Sequence, residues 1–83
     1  MDRNEFIKKV ENAFEMTFSV SGKSFTIIDE NEKGFSIAEQ NHQETEQYFP
    51  DAKALVNGYM IDGKSVGEYA TTIQIIEYCG IEE

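Results

Sequence analysis

The stretch Glu15–Glu39, EMTFSVSGKSFTIIDENEKGFSIAE, constrains the fold more than any other part of this chain. Met16, Phe18 and Val20 alternate with Thr17 and Ser19, Phe25 and Ile27 with Ser24 and Thr26, and Phe35 and Ile37 with Ser36 and Ala38. Successive side chains of a strand point to opposite faces, so each run has an apolar side and a small polar side. Ser21-Gly22-Lys23 is a tight hairpin turn, and the link Asp29–Gly34 permits the next reversal. The spacing predicts a three-stranded antiparallel meander with Phe18, Val20, Phe25, Ile27, Phe35 and Ile37 on one face. The opposite face, formed by Thr17, Ser19, Ser24, Thr26, Ser36 and Ala38, is expected to carry no charge. Such a face is either an ordinary solvated one or a docking surface, because strands without Lys or Pro also invite a neighbour along their edge.

The flanking segments read as the cover for the apolar face. Asp2-x-x-Glu5 is a capping-box variant, and Phe6, Val10, Ala13 and Phe14 recur at helical spacing, which predicts a helix over residues 3–14. Asn41-x-x-Glu44 suggests a short helix over 42–48, stopped near Pro50. Asp51–Val56 reads as a further turn of helix ended by Asn57-Gly58, so residues 40–57 form one kinked helix or two. Asp62-Gly63 is a turn. Ser65-x-x-Glu68 is another capping box, and Val66, Tyr69, Ala70, Ile73 and Ile76 keep a helical spacing to Tyr78, with Gly80 as the stop. The β-branched run Thr71-Thr72-Ile73 weakens that helix. The expectation is a single α+β domain over 1–83: an N-terminal helix, a three-stranded antiparallel β-meander, and C-terminal helices packed on one sheet face. Its core would comprise Phe6, Val10, Phe14, Phe18, Val20, Phe25, Ile27, Phe35, Ile37, Leu55, Ile61, Val66, Tyr69, Ile73 and Ile76.

Sixteen acidic residues against seven basic ones leave a net charge of −9. The excess is concentrated in residues 29–51, where Asp29, Glu30, Glu32, Glu39, Glu44, Glu46 and Asp51 face Lys33 alone. This charge disfavours direct binding to nucleic acid or to an anionic membrane, since both need a basic patch. It serves solubility, or it addresses a basic protein partner. One cysteine, Cys79, cannot form an internal disulfide. No apolar run approaches the ~20 residues that span a bilayer. The charged N-terminus does not read as a signal peptide, so a cytoplasmic location is the expectation.

Gly58-Tyr-Met-Ile-Asp-Gly63-Lys64-Ser65 matches the phosphate-loop pattern G-x-x-x-x-G-K-[ST], which in its proper setting cradles phosphates on backbone N–H groups. The preceding segment Ala52–Val56 is a poor buried strand, and 83 residues do not hold the repeated strand–helix units of such a fold. A turn at Gly63 and a helix cap at Ser65 explain the same letters. Asp29-Glu-Asn31-Glu-Lys33-Gly34 echoes a calcium loop, but Lys33 stands where an oxygen ligand is needed and Gln40 where a bidentate Glu is needed. His42, the single histidine, reads as a surface residue, and Cys79 as a small buried hydrophobe. No catalytic residue, cofactor or metal is expected. The residues point to a non-enzymatic domain that binds a protein partner or itself, through the uncharged sheet face or the acidic segment 29–51. A nucleotide-binding role through Gly58–Ser65 is an alternative.

The order helix–strand–strand–strand–helix resembles that of the double-stranded RNA-binding domain. That family uses lysines at the start of its last helix, where this chain has Lys64 followed by Ser65-Val66-Gly67-Glu68. The segment Lys33-Gly34-Phe35-Ser36-Ile37-Ala38-Glu39-Gln40-Asn41, running into Glu44, Glu46 and Phe49, is similar to the third strand and acidic loop of small acidic phage anti-CRISPR proteins. That resemblance implies a DNA mimic whose carboxylates, here Asp29, Glu30, Glu32, Glu39, Glu44 and Glu46, enter the basic channel of a nucleic-acid-handling protein.

Overall fold

Asp2 caps the first helix as its spacing to Glu5 requires. Its Oδ1 accepts from the Glu5 N–H at 2.8 Å, and Glu5 Oε1 accepts from the Asp2 N–H at 3.0 Å. In this computed structural model, which describes residues 1–81, helix α1 runs Arg3–Glu11. It is shorter than the sequence suggests, because Ala13 and Phe14 already belong to strand β1 (Ala13–Val20). Ser21 and Gly22, both at positive φ, turn the chain into β2 (Lys23–Asp29). A single-turn 3-10 helix, Asn31–Lys33, leads to β3 (Phe35–Glu39).

Two segments read as helices in the sequence are strands. The segment expected to be helical over 42–48 is β4 (His42–Phe49), paired antiparallel with β3. Asn41 is not a helix cap; at φ 66° it closes the β3–β4 hairpin, a left-handed conformation that Asn tolerates. Glu44, Glu46 and Tyr48 alternate with Thr45, Gln47 and Phe49, a period-two pattern that the match to a capping box concealed. The C-terminal helix is likewise absent. The Ser65–Glu68 cap is real, with the Ser65 N–H donating to Glu68 Oε2 at 3.0 Å, but it closes only a 3-10 turn over Val66–Tyr69. The β-branched residues beyond it lead into β7 (Gln74–Gly80).

Between these strands lie helix α2 (Ala52–Gly58), capped by Asp51, and a two-stranded hairpin of β5 (Met60–Ile61) and β6 (Lys64–Ser65). The main sheet therefore has five strands in the order β4-β3-β2-β1-β7, antiparallel throughout. The three-stranded meander is its centre, and the segments expected to cover it supply its two edges. The α+β character stands, with one N-terminal helix and one short internal helix in place of C-terminal helices.

One face of the sheet is covered. Phe6 and Val10 from α1, Ala52, Leu55 and Val56 from α2, and Tyr59, Ile61, Val66, Ala70 and Ile73 form one core with Met16, Phe18, Val20, Phe25, Ile27 and Ile37. An aromatic chain runs through it. Phe18 meets Phe6 edge-on at 5.5 Å and stacks on Phe25 at 5.4 Å, and Tyr59 bridges Phe25 at 6.0 Å and Phe49 at 6.5 Å. Such pairs add to area burial by about 0.5–1.5 kcal/mol each. Strand β7 is fastened to α1: the Tyr78 hydroxyl donates to the Lys9 carbonyl at 2.8 Å, and the Lys9 ammonium lies 4.8 Å from the Tyr78 ring centroid. Gly34, at φ +88°, lies so close to the Phe49 carbonyl that no side chain fits. No helix among the described residues is long and apolar enough to cross a membrane.

Phe14 and Ile76, both expected in the core, are 55% exposed. Their cause is a pair of bulges in the β1–β7 ladder, at Phe14 and at Ile76. Ala13 and Met16, three apart, both face the core, so Phe14 and Glu15 between them both turn out. Ile75 and Tyr78 pack against the core in the same way, and Ile76 and Glu77 turn out.

This packing separates two phenylalanines four residues apart. Phe18→Ala should cost about 3–5 kcal/mol in urea unfolding, whereas Phe14→Thr should cost about 0.5 kcal/mol or less. Similar losses at the two sites would contradict the outward turn at the β1 bulge.

Candidate functional site

The outer face of the five-stranded sheet has no element packed on it among the described residues, and the ladder registers specify what it displays. One row crosses all five strands: Tyr48, Ser36, Ile28, Glu15 and Cys79. The next runs Ala38, Thr26, Thr17 and Glu77, and a third runs Ser24, Ser19 and Gln74. The bulges add Phe14 beside Glu15 and Ile76 beside Glu77.

The floor of this face is small and polar, as the alternation in the sequence requires. Thr17 and Thr26 share a hydrogen bond at 3.1 Å, and the Ser36 hydroxyl donates to Glu30 Oε2 at 2.9 Å. Larger side chains rise around that floor. Phe14, Tyr48 and Ile76 are each more than half exposed and Ile28 more than a third, while Ser36 and Thr17 below them are buried. The face is not uncharged, as the meander by itself implied: Glu15 and Glu77 stand on it, and Glu30 and Glu46 flank Tyr48. No Lys or Arg lies in any of the rows. A helix over this segment would not place Glu77 on the sheet, whereas strand β7 sets it opposite Thr17. The signal that was available is the pairs Ile27-Ile28 and Ile75-Ile76, since two adjacent apolar residues in a strand point to both faces.

The six candidate carboxylates of residues 29–46 do not form one surface. Asp29 Oδ1 accepts from the Asn31 N–H at 2.8 Å and so shapes the β2–β3 turn, where Glu32 also sits. Glu30 lies on the outer face through Ser36. Glu39, opposite Phe25 in the ladder, belongs to the covered side, 3.8 Å from His42 Nε2. Glu44 lies 3.3 Å from His42 Nδ1 at the far end of β4, and Glu46 accepts from Gln43 at 3.1 Å. Two pairs of the six share a neighbour: Glu39 and Glu44 at His42, and Glu30 and Glu46 at Tyr48 on the outer face.

His42 and Cys79 lie on β4 and β7, the opposite edges of the sheet, and Cys79 is exposed rather than buried. Among the described residues, no group of three or more His, Cys, Asp and Glu side chains is placed to hold a metal ion. The segment Gly58–Ser65 runs from the last residue of α2 through the β5–β6 hairpin, with Asp62 and Gly63, both at positive φ, at its tip; it is not the strand–loop–helix of a phosphate cradle. Lys23 closes the hairpin against the sheet through Asp62 at 3.2 Å, and that hydrogen bond holds the ammonium above its ordinary pKa. An open groove of about 600 Å³ between α1 and the end of β7 is lined by Met1, Lys8, Lys9 and Tyr78 among others. Its one hydroxyl, that of Tyr78, donates to the Lys9 carbonyl.

Tyr48 carries an electrostatic signature of this face. The carboxylate of Glu46, and after it that of Glu30, disfavours the phenolate and raises the Tyr48 pKa above the ordinary tyrosine range. The neutral phenol is thus favoured in the folded state. The associated stability is complete below the unfolded-state pKa and lost as the pH rises through the folded-state value. Glu46→Gln should lower the Tyr48 midpoint in an NMR titration of the ring carbons; an unchanged midpoint would remove Glu46 from the surroundings of the ring.

Comparison with known proteins returns no match: no protein-family model, no curated protein and no solved structure resembles the chain closely enough to count.

Proposed function

We propose that this chain is a non-enzymatic protein-interaction domain that binds through the outer face of its five-stranded sheet. One observation carries the reading. Among the described residues no element covers the sheet's outer face, yet Phe14, Ile28, Tyr48 and Ile76 stand exposed on it. Single exposed apolar residues are ordinary, but several on one rigid face are what a binding surface displays. Two of the four, Phe14 and Ile76, reach that face through bulges, devices that re-aim side chains. The hydroxyl floor adds hydrogen-bonding groups on a rigid backbone, and the paired strands hold every contact residue in a defined register.

A photo-crosslinking residue in place of Thr26, at the centre of the face, tests this in cells that make the protein. The same residue in place of Lys53, on α2 and on the covered side, is the control. The expected result is a discrete adduct from position 26, absent from position 53 and lost when Ile28→Lys is added. Equal adducts from both positions, or none from position 26, would overturn the reading. An adduct of two copies would keep the face as the interface and make the domain self-associating.

A further inference from the structure

We infer that the occupant of the outer face is a basic amphipathic polypeptide segment, one that presents apolar side chains flanked by Lys or Arg. This rests on the face being an interaction surface, as proposed above, and specifies the chemistry of its partner.

Acids stand on both sides of the molecule, but the rows of the outer face carry acids and no Lys or Arg. Glu15 and Glu77 stand in the outer rows, and Glu30 and Glu46 border them at Tyr48. The basic residues lie elsewhere. Arg3, Lys8 and Lys9 are on α1, Lys53 is on α2, and Lys64 is in the β5–β6 hairpin. Lys23 is tied to Asp62, and Lys33 is in the β2–β3 turn. A partner that covers Phe14, Ile28, Tyr48 and Ile76 brings its own surface against these carboxylates. Apolar side chains satisfy the four large residues, and cations at their flanks satisfy the acids and can lie over the Tyr48 and Phe14 rings.

A second copy that presents its own outer face fails on the same grounds. Two outer faces in contact would set Glu15 and Glu77 of each copy against the acids of the other, in a pair of chains that each carry a net −9. Nucleic acid and anionic lipid meet the same repulsion. The dimensions fit a short segment: five strands at ~4.8 Å spacing are about 19 Å across, the length of about 13 residues of helix.

The test uses the whole chain and three synthetic 13-residue peptides: a Lys/Leu amphipathic helix, the same peptide with Glu for Lys, and the same peptide with Ser for Leu. Binding is followed by NMR at the amides of Thr17, Thr26 and Ala38. The Lys/Leu peptide should shift these amides, and the other two should bind at least tenfold more weakly. Glu15→Gln with Glu77→Gln should weaken the Lys/Leu peptide about three- to tenfold, on the scale of two exposed ion pairs. Glu11→Gln with Glu32→Gln, which removes the same charge from α1 and from the turn, should change it less than twofold.

Equal weakening by the two double variants would overturn the inference, because the attraction would then be to net charge and not to this face. Equal binding of the Glu/Leu peptide, or no shift at the three amides, would overturn it as well. The failure of the inference is separable from that of the interaction reading. A position-26 adduct formed with the outer face of a second copy, or with an acidic segment of another protein, would refute the basic occupant and leave the face as the binding surface. The absence of any such adduct would refute the surface itself.

Discussion

The structure depends on burial on one side of a sheet. Phe18 lies at the middle of β1, between the edge of Phe6 and the face of Phe25, and Tyr59 continues the contact to Phe49. Each of those rings comes from a different element, so this one column ties α1, three strands of the sheet and the segment after α2 together. An 83-residue chain buries only about 60–65% of its unfolded surface. The two helices, the small hairpin and the 3-10 turn are all committed to the aromatic face. Nothing among the described residues remains to cover the other.

What that face displays is decided by irregularities in one ladder. A regular β1–β7 pairing would keep alternation intact and send either Phe14 or Glu15, and either Ile76 or Glu77, back toward the core. The bulges let both members of each pair face out. They also give β1 and β7 inward residues three apart, Ala13 with Met16 and Ile75 with Tyr78, which is the spacing of a helix. The same irregularity therefore places apolar groups beside carboxylates on the outer face and disguises the strands that carry them.

Much of the fold was legible because it is local. The Asp2–Glu5 box, the alternation in β1 to β3, the Ser21-Gly22 turn and the helix beginning at Asp51 each depend on residues within a few positions of one another. β4 and β7 were not legible, for a common reason: each has a capping-box match nearby, and each is a strand by virtue of a neighbour. β4 needs β3, and β7 needs β1, some sixty residues earlier. For the candidate site, the hydroxyl floor could be read from alternation, and Glu30 and Glu46 from the acidic segment. Glu15 and Glu77 could not be assigned to the face, since their meeting depends on a long-range register.

The sequence by itself determined which residues seek the interior, where the first helix begins, and that the central strands have one apolar side and one small polar side. These follow from side-chain hydrophobicity and from the fixed period of the backbone. Only the tertiary structure decided that the sheet has five strands, that Phe14 and Ile76 are left outside, and which carboxylates share a surface. Those outcomes rest on pairing between distant segments, where a strand gains its hydrogen bonds only by finding a partner, and local preference in β4 and β7 is too weak to oppose it.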